Sequence, residues 1–387
     1  MPTYKHGITT NLLTTGTRPI AAVATAVIGI IATASAEAGA ATTALNTAFP
    51  LDTPVLVTDI RRAIGEAGTG GTLKPALEAI ADQTSPVLIV VRVAIDEVEA
   101  DQDDLVIGDT VGGSYTGLQA LLAAEQQLGQ RPRILGAPGL DTQAVTTELA
   151  IIARKLRAMA YARAIGDDVA EAVTYADNFA ARELMLIWPN FTGGFAGDAV
   201  ARALGLRARI DEEQGWHKTL SNVPVDGVTG TDKDIYWDLQ DTSTDAGVLN
   251  DGLVTTLIRS QGFRFWGNRT TSDEPLYSFE SATRTSQVLQ DEIAEGLRWA
   301  IDKPMTAALV KDMLETINAR FRALVAEGRI IGGRAWFDPA LNSATDLAAG
   351  KLVIDYDFTP AAPVEALTLN QRITDRYYAD FASQLAV

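Results

Sequence analysis

Few side chains in this sequence could do covalent or acid–base chemistry. Its 387 residues include no cysteine and only two histidines, His6 and His217. That excludes disulfides, thiol nucleophiles, cysteine zinc sites and any multi-histidine metal site within one chain. His217 has the more suggestive neighbourhood: Asp211, Glu212 and Glu213 precede it and Ser221 follows. A serine hydrolase needs such a base, oriented by a carboxylate, beside a nucleophile on a tight turn. The sequence offers no Gly-x-Ser-x-Gly elbow, and His217 sits beside Trp216 in a stretch rich in Gly, Asn and Pro. It reads as a structural loop residue. Adjacency assigns no acid and base roles to Glu212 and Glu213.

Three other stretches bear on ligand binding. Residues 65–74 (GEAGTGGTLK) are glycine-rich before a helix, the pattern of a phosphate cradle. They lack the Gly-Lys-Ser/Thr ending of a P-loop, so a turn is the better reading. Residues 96–104 (DEVEADQDD) are acidic, but Leu105 breaks the ordered pattern of a calcium loop, leaving a solvated turn. Residues 137–141 (APGLD) end a short strand, where an α/β enzyme would hold its ligand. Asp141 there reads more simply as the cap of the next helix.

The elements that would position these residues alternate. Residues 55–57, 86–93, 133–137, 159–165 and 183–188 read as strands. Residues 73–81, 118–127, 147–157 and 169–181 read as helices. Residues 86–93 (PVLIVVRV) are nearly all apolar and β-branched, as in a strand buried on both faces. This alternation predicts right-handed β-α-β units and a mostly parallel sheet. Residues 20–34 resemble the apolar core of a signal peptide, but contain Thr25, Gly29 and Thr33 and no leucine. They read as a buried strand, and are too short to span a membrane.

From Gly252 the character changes. Residues 282–301 read as a helix, and 302–304 (DKP) break it. A second helix then starts in its first turn with Pro304 and stops at Gly328. Val310, Met313, Leu314, Ile317, Phe321, Leu324 and Val325 form its apolar face, opposite Lys311, Asp312, Glu315, Asn318 and Arg322. Residues 334–337 and 351–358 read as strands, the latter with Leu352, Ile354, Tyr356 and Phe358 on one side. The formal net charge is −17, which disfavours nucleic acid as a partner. Residues 255–334 carry 11 positive against 10 negative side chains, so the negative charge lies elsewhere. That balance suits one surface reserved for a charged partner; chance clustering is the alternative.

Four phrases in fixed order resemble the sheath proteins of contractile phage tails. They are 214–222 (QGWHKTLSN) with 227–230 (GVTG), then 262–270 (GFRFWGNRT), 299–304 (WAIDKP) and 350–360 (GKLVIDYDFTP). The last runs on through Pro363, Glu365 and Leu367 to 371–375 (QRITD). The start, His6-Gly7-Ile8 through Thr17-Arg18-Pro19-Ile20, is also similar. The likeness covers nearly the whole chain. It is nearest to sheaths of small temperate myophages of enterobacteria and pseudomonads.

The resemblance implies an α/β and α+β protein: an N-terminal arm (1–19), an outer α/β domain (20–251), an inner sheath domain (252–365) and a C-terminal arm (366–387). It implies a six-fold helical homopolymer around a tail tube protein, meeting baseplate and tail terminator proteins. Contraction would drive the tube through the host envelope. No enzyme activity, cofactor, metal, nucleic acid or membrane anchor is expected. The expected location is the virion tail sheath, after synthesis and assembly in the host cytoplasm. Intersubunit arm residues would be Gly7, Ile8, Thr9, Leu12, Ile373, Thr374, Asp375, Tyr377 and Tyr378. Candidates facing the tube are Lys303, Lys311, Arg320 and Arg322. The sheath of a phage-tail-like bacteriocin, an α/β hydrolase-like enzyme and a monomeric binding module are the alternative readings.

Overall fold

The computed structural model describes residues 20–193, 198–378, 381 and 384. Nine strands form one sheet: β1 (Ile28–Thr33), β2 (Val55–Val57), β3 (Leu88–Val93), β4 (Ile134–Gly136), β5 (Met159–Arg163), β6 (Leu184–Ile187), β7 (Pro224–Val225), β8 (Val254–Arg259) and β9 (Phe263–Trp266). Their order is β7-β9-β8-β6-β5-β4-β1-β3-β2. The centre, from β8 to β3, is parallel, and β2, β9 and β7 add antiparallel edges. The expected mostly parallel sheet is therefore present. Both β1 and β3 are buried along their whole length, as a strand covered on two faces must be.

Helices cover both faces. The first group includes α1 (Leu73–Ala81); α2 (Glu99–Ile107) and α3 (Gln143–Leu156) lie on the other side; α4 (Ala199–Glu213) joins α1. Alternation in β1 divides the core. Ile28, Ile30 and Ala32 pack with Leu73, Leu77, Ile80 and Leu204, while Ile31 packs with Val145, Leu149 and Ile152. Small residues allow α1 and α4 to approach closely through Ala76, Ala79 and Ala201. A Cβ on Gly205 would sit 2.9 Å from the backbone of Ile80, so any side chain there forces the helices apart.

Beyond the sheet, α5 (Glu280–Leu297) and α6 (Ala307–Ala326) pack with the antiparallel pair β10 (Ile330–Trp336) and β11 (Asp355–Pro360). Leu289, Ile293, Ile317, Phe321, Leu324 and Ile330 form their separate core, against which Ile354, Tyr356 and Phe358 pack. The boundary expected at Gly252 falls inside the large sheet, because β8 pairs with β6 and β9 with β8. The chain leaves that sheet only after Trp266.

Several expected elements shift for local reasons. Residues 99–107 are helical rather than a turn; Glu99 and Asp101 favour the positive end of the helix dipole. Residues 117–123 form a 3₁₀ helix before a short α-helix at 124–128. Pro304 lies outside α6: Thr306 caps it, accepting from the Leu309 amide at 3.2 Å, and Gly328 beyond its end takes a positive φ. Asn318, expected on the polar face of α6, exchanges two hydrogen bonds with the backbone of Ala335. The last strand starts at Asp355 instead of Lys351, because its partner ends at Trp336. The Asn342 amide bonds the Val353 backbone instead.

Candidate functional site

The hydrolase-like residues do not assemble. Asp211, the first of the three carboxylates before His217, is engaged by Arg207 and Arg284. The Ser221 hydroxyl accepts a hydrogen bond from the Gly267 amide at 3.1 Å. His217 packs edge-on against Trp216, and burial, aided by the Arg329 charge, lowers its pKa. Glu212 and Glu213 are exposed. The glycine-rich stretch is a turn: Thr72 and Thr33 exchange backbone-to-hydroxyl bonds at 3.1 and 3.2 Å, tying the start of α1 to the end of β1.

At the carboxyl ends of the strands lies a cavity of about 570 Å³, lined in part by Thr72, Gly139, Arg163, Asn190 and Asp198. Asp141 lies beneath this end of the sheet, fully buried, and accepts from the Arg163 amide at 2.6 Å. It does not cap α3; Thr142 does, accepting from the Val145 amide. Burial, with the nearby Asp198 charge, pushes the Asp141 carboxyl up to about 6. A carboxyl with a raised folded pKa binds its proton more tightly folded than unfolded. Stability therefore falls as pH rises from about 4 through 6. Asp141→Asn is expected to raise the unfolding free energy at pH 7.5 by about 1–3 kcal/mol and to remove that slope. Urea unfolding at pH 5 and pH 7.5 checks both.

The residues expected to join subunits have distinct fates. Gly7, Ile8, Thr9 and Leu12 lie outside the described residues. Across residues 361–378 the chain joins no ladder. Ile373 is 99% exposed, Tyr377 63% and Tyr378 74%, and Thr374 and Asp375 are exposed as well. Val364, Leu367 and Leu369 are equally bare. The root of this segment is fixed by a two-bonded ion pair, Arg269 to Glu365, at 2.8 and 2.7 Å.

Among the tube-facing candidates, Lys303 sits over the Trp299 ring at 4.4 Å and Lys311 is exposed. Lys303 lies between the exposed Ile301 and Met305 in the turn before α6. Arg322 is exposed and pairs with Glu315. Arg320 does not belong with them. It turns inward and makes a two-bonded pair with buried Glu292, at 2.8 and 2.7 Å.

The densest polar arrangement went unnoticed in the sequence. Helix α5 is buried along most of its length at the amino ends of the sheet strands. Glu280, wholly buried, accepts from the Tyr161 hydroxyl, from Arg207 at 3.2 Å and from the Leu220 amide at 3.1 Å. Arg207 also holds Asp211 at 2.7 Å, and Asp211 holds Arg284. Burial opposes charge on Glu280, but Arg207 and Arg284 outweigh it and lower its pKa. Further along, Asp291 receives Arg131, Arg133 and Arg157. Burial lowers Arg133 to about 10 despite that partner. Two signals were present: Arg207 and Asp211 four residues apart on one helix, and α5's run of small polar residues (Ser281, Thr283, Thr285, Ser286). These charges join the sheet to the C-terminal unit through interactions that cannot be half-broken cheaply.

Comparison with known proteins gives a consistent result. The family described as "Phage tail sheath protein central domain" matches residues 113–271, "Phage tail sheath C-terminal domain" matches 272–374, and "Tail sheath protein Gp18 domain III N-terminal region" matches 26–93. The chain is 49% identical over 402 aligned positions to the tail sheath protein of Escherichia phage P2, covering 100% of this chain and 99% of that one. It is 51% identical over 370 positions to the major tail sheath protein of Serratia phage KSP20, covering 92% of each. Among solved structures, the PVC sheath complex of an extracellular contractile injection system, in its contracted state, has a TM-score of 0.71 at 15% identity, over 97% of this chain and 99% of that one. The contracted helical sheath of the anti-feeding prophage gives 0.70 at 15%, over 95% and 98%.

Proposed function

The chain belongs to the phage tail sheath family, and from that premise we propose that it polymerises as a six-fold helical sleeve around a tail tube and contracts to drive the tube through the host envelope. The observation that carries this reading is near-50% identity to two phage sheath proteins over essentially their whole length. Both are phage proteins, which favours a phage sheath over a bacteriocin sheath. Assembly then takes place in the host cytoplasm, with the tube, baseplate and terminator proteins as partners.

Arm exchange is the chemistry of the polymer. A two-stranded sheet alone is marginal in water, and both outer edges of β10–β11 are open within the described chain. Strands added by a neighbour's arms would satisfy those edges with backbone hydrogen bonds. Apolar residues along 364–378 supply side chains for such a strand that have no place in their own subunit.

Repacking that buries more surface between subunits makes contraction downhill without nucleotide. The turn at 301–306 and the start of α6 are the tube contact in this reading, with Lys303 and Lys311 as its charges. Negative-stain electron microscopy of the purified chain, alone and with the cognate tube protein, is expected to show regular hollow tubes. Lys303→Glu with Lys311→Glu should leave empty tubes unchanged and reduce tube-filled sheaths about tenfold or more. Persistent monomers in both samples would refute the polymer reading. Normal filling by the double variant would refute the tube contact.

A further inference from the structure

We propose that an arginine-lined pocket beside α5 receives a carboxylate from the acidic 96–109 segment of a second copy of this chain. The proposal rests on the polymer reading above and adds a contact outside the arms.

The pocket, about 50 Å³, lies between the end of α3 and the side of α5. Arg154, Arg157 and Arg182 line it, with Glu183, Thr283 and Gln290. Thr283 is only 1% exposed, yet its hydroxyl has no hydrogen-bond partner. The guanidinium groups share few carboxylates. Glu183 serves Arg154 at 3.5 Å and Arg182 at 3.0 Å, while Asp291 serves Arg157 together with Arg131 and Arg133. At the rim, Glu125 meets Arg131, and Glu274 reaches Arg182 only at 4.0 Å. Lys155, next to Arg154, is exposed. Three guanidinium groups that share two carboxylates, beside a buried hydroxyl without a partner, suit a further carboxylate.

The chain itself carries the complementary surface. Residues 93–130 contain eight acidic side chains and no lysine or arginine. Asp96, Glu97, Glu99, Asp101, Asp104 and Asp109 are all exposed, and none forms an ion pair among the described residues. Bare Ile95, Val98 and Leu105 are interleaved with them, as in an interface rather than a solvated turn.

The geometry sets the mode of association. Thr142, at the start of α3, bonds Asp103 of the acidic segment at 2.7 Å, whereas Arg154 is in the last turn of α3. Fourteen helical residues span about 21 Å, so the two surfaces lie at opposite ends of the sheet. One copy cannot satisfy itself, so the acidic end of one copy must meet the arginine end of another. Within the helical polymer proposed above this contact is head-to-tail, and it propagates instead of closing on a pair. It also gives a chain of net charge −17 an attractive contact between copies that otherwise repel.

Charge reversal in exposed residues tests the contact. The acidic-end variant carries Glu97→Lys, Glu99→Lys and Asp101→Lys. The pocket variant carries Arg154→Glu and Lys155→Glu. Each, folded by circular dichroism, should lower the fraction of chain recovered as sedimenting tubes about tenfold, and combining all five changes should restore most of it. In the cysteine-free background, Glu99→Cys with Arg154→Cys should give an oxidised ladder of oligomers that neither single cysteine gives. Wild-type chain without tubes overturns the polymer reading and this contact with it. Wild-type tubes, with reversals that have no effect or are not rescued by the combination and with no ladder, overturn the contact alone.

Discussion

Glu280→Ala is expected to lower the unfolding free energy by about 3–5 kcal/mol, the cost typical of breaking a buried ion pair from one side. The side chain is wholly buried, and its carboxylate is the acceptor for Tyr161, Arg207 and the Leu220 amide. Alanine leaves two buried arginines, Arg207 and Arg284, with Asp211 as the single carboxylate between them. Nothing in the surrounding core can hydrate the surplus charge. Urea unfolding followed by intrinsic fluorescence measures the loss, and Trp216 in the adjacent core reports the C-terminal unit.

Glu280→Gln separates charge from shape, because it keeps two acceptor lone pairs where the carboxylate had four. It should fall between wild type and alanine. Pairing it with Arg207→Met should cost less than the two single changes added together, with a coupling of about 1–3 kcal/mol. The pH dependence has a fixed sign. The Glu280 pKa is lowered in the fold, so its stabilisation is present above the unfolded value and is lost as pH falls through the folded one. Wild type and Glu280→Gln should therefore converge in stability in acid and diverge towards neutrality. A difference independent of pH would mean that Arg207 and Arg284 do not hold this carboxylate charged.

The sheet was legible in the sequence because local signals and burial agree there. Residues 73–81 show helical spacing and form a helix with those bounds; 86–93 read as doubly buried, and β3 is. The boundary at Gly252 was not legible, because a parallel crossover places β8 beside β6, some 70 residues earlier in the chain, and no local pattern encodes that pairing. The acidic helix was hidden by composition: nothing in 96–104 marks an apolar face, and Val106 is its one buried residue. Arg320 shows a further limit. Helical periodicity places it near the polar side of α6, but its partner Glu292 lies on another helix, and only the fold shows that the pair is buried. The C-terminal tail leaves Ile373, Tyr377 and Tyr378 exposed, and their role between subunits is the proposal made above.

Removing residues 375–387, or residues 1–13, is expected to leave a folded monomer and abolish sheath formation. The C-terminal cut spares the fold, because the described residues that it removes are exposed. No residue from 361 to 378 is fully buried, and the Arg269–Glu365 pair that fixes the root lies upstream of the cut. The unfolding free energy should therefore change by less than about 0.5 kcal/mol, as for surface changes away from any packed feature. The polymer has much more to lose. A strand donated to an open edge of β10–β11 contributes several backbone hydrogen bonds per subunit, each worth about 0.5–1.5 kcal/mol net, together with burial of Tyr377 and Tyr378. Repeated at every subunit, that loss acts on the whole lattice. Restoring bulk without backbone registry should not help. Tyr377→Ala with Tyr378→Ala is expected to weaken assembly, and Ile373→Pro to weaken it at least as much, because proline removes an amide donor from the added strand. Light scattering at matched concentration, with electron microscopy of the end point, separates these cases. Normal tubes from both truncations would overturn arm exchange and leave the arginine pocket and the acidic helix as the contacts on which the lattice depends.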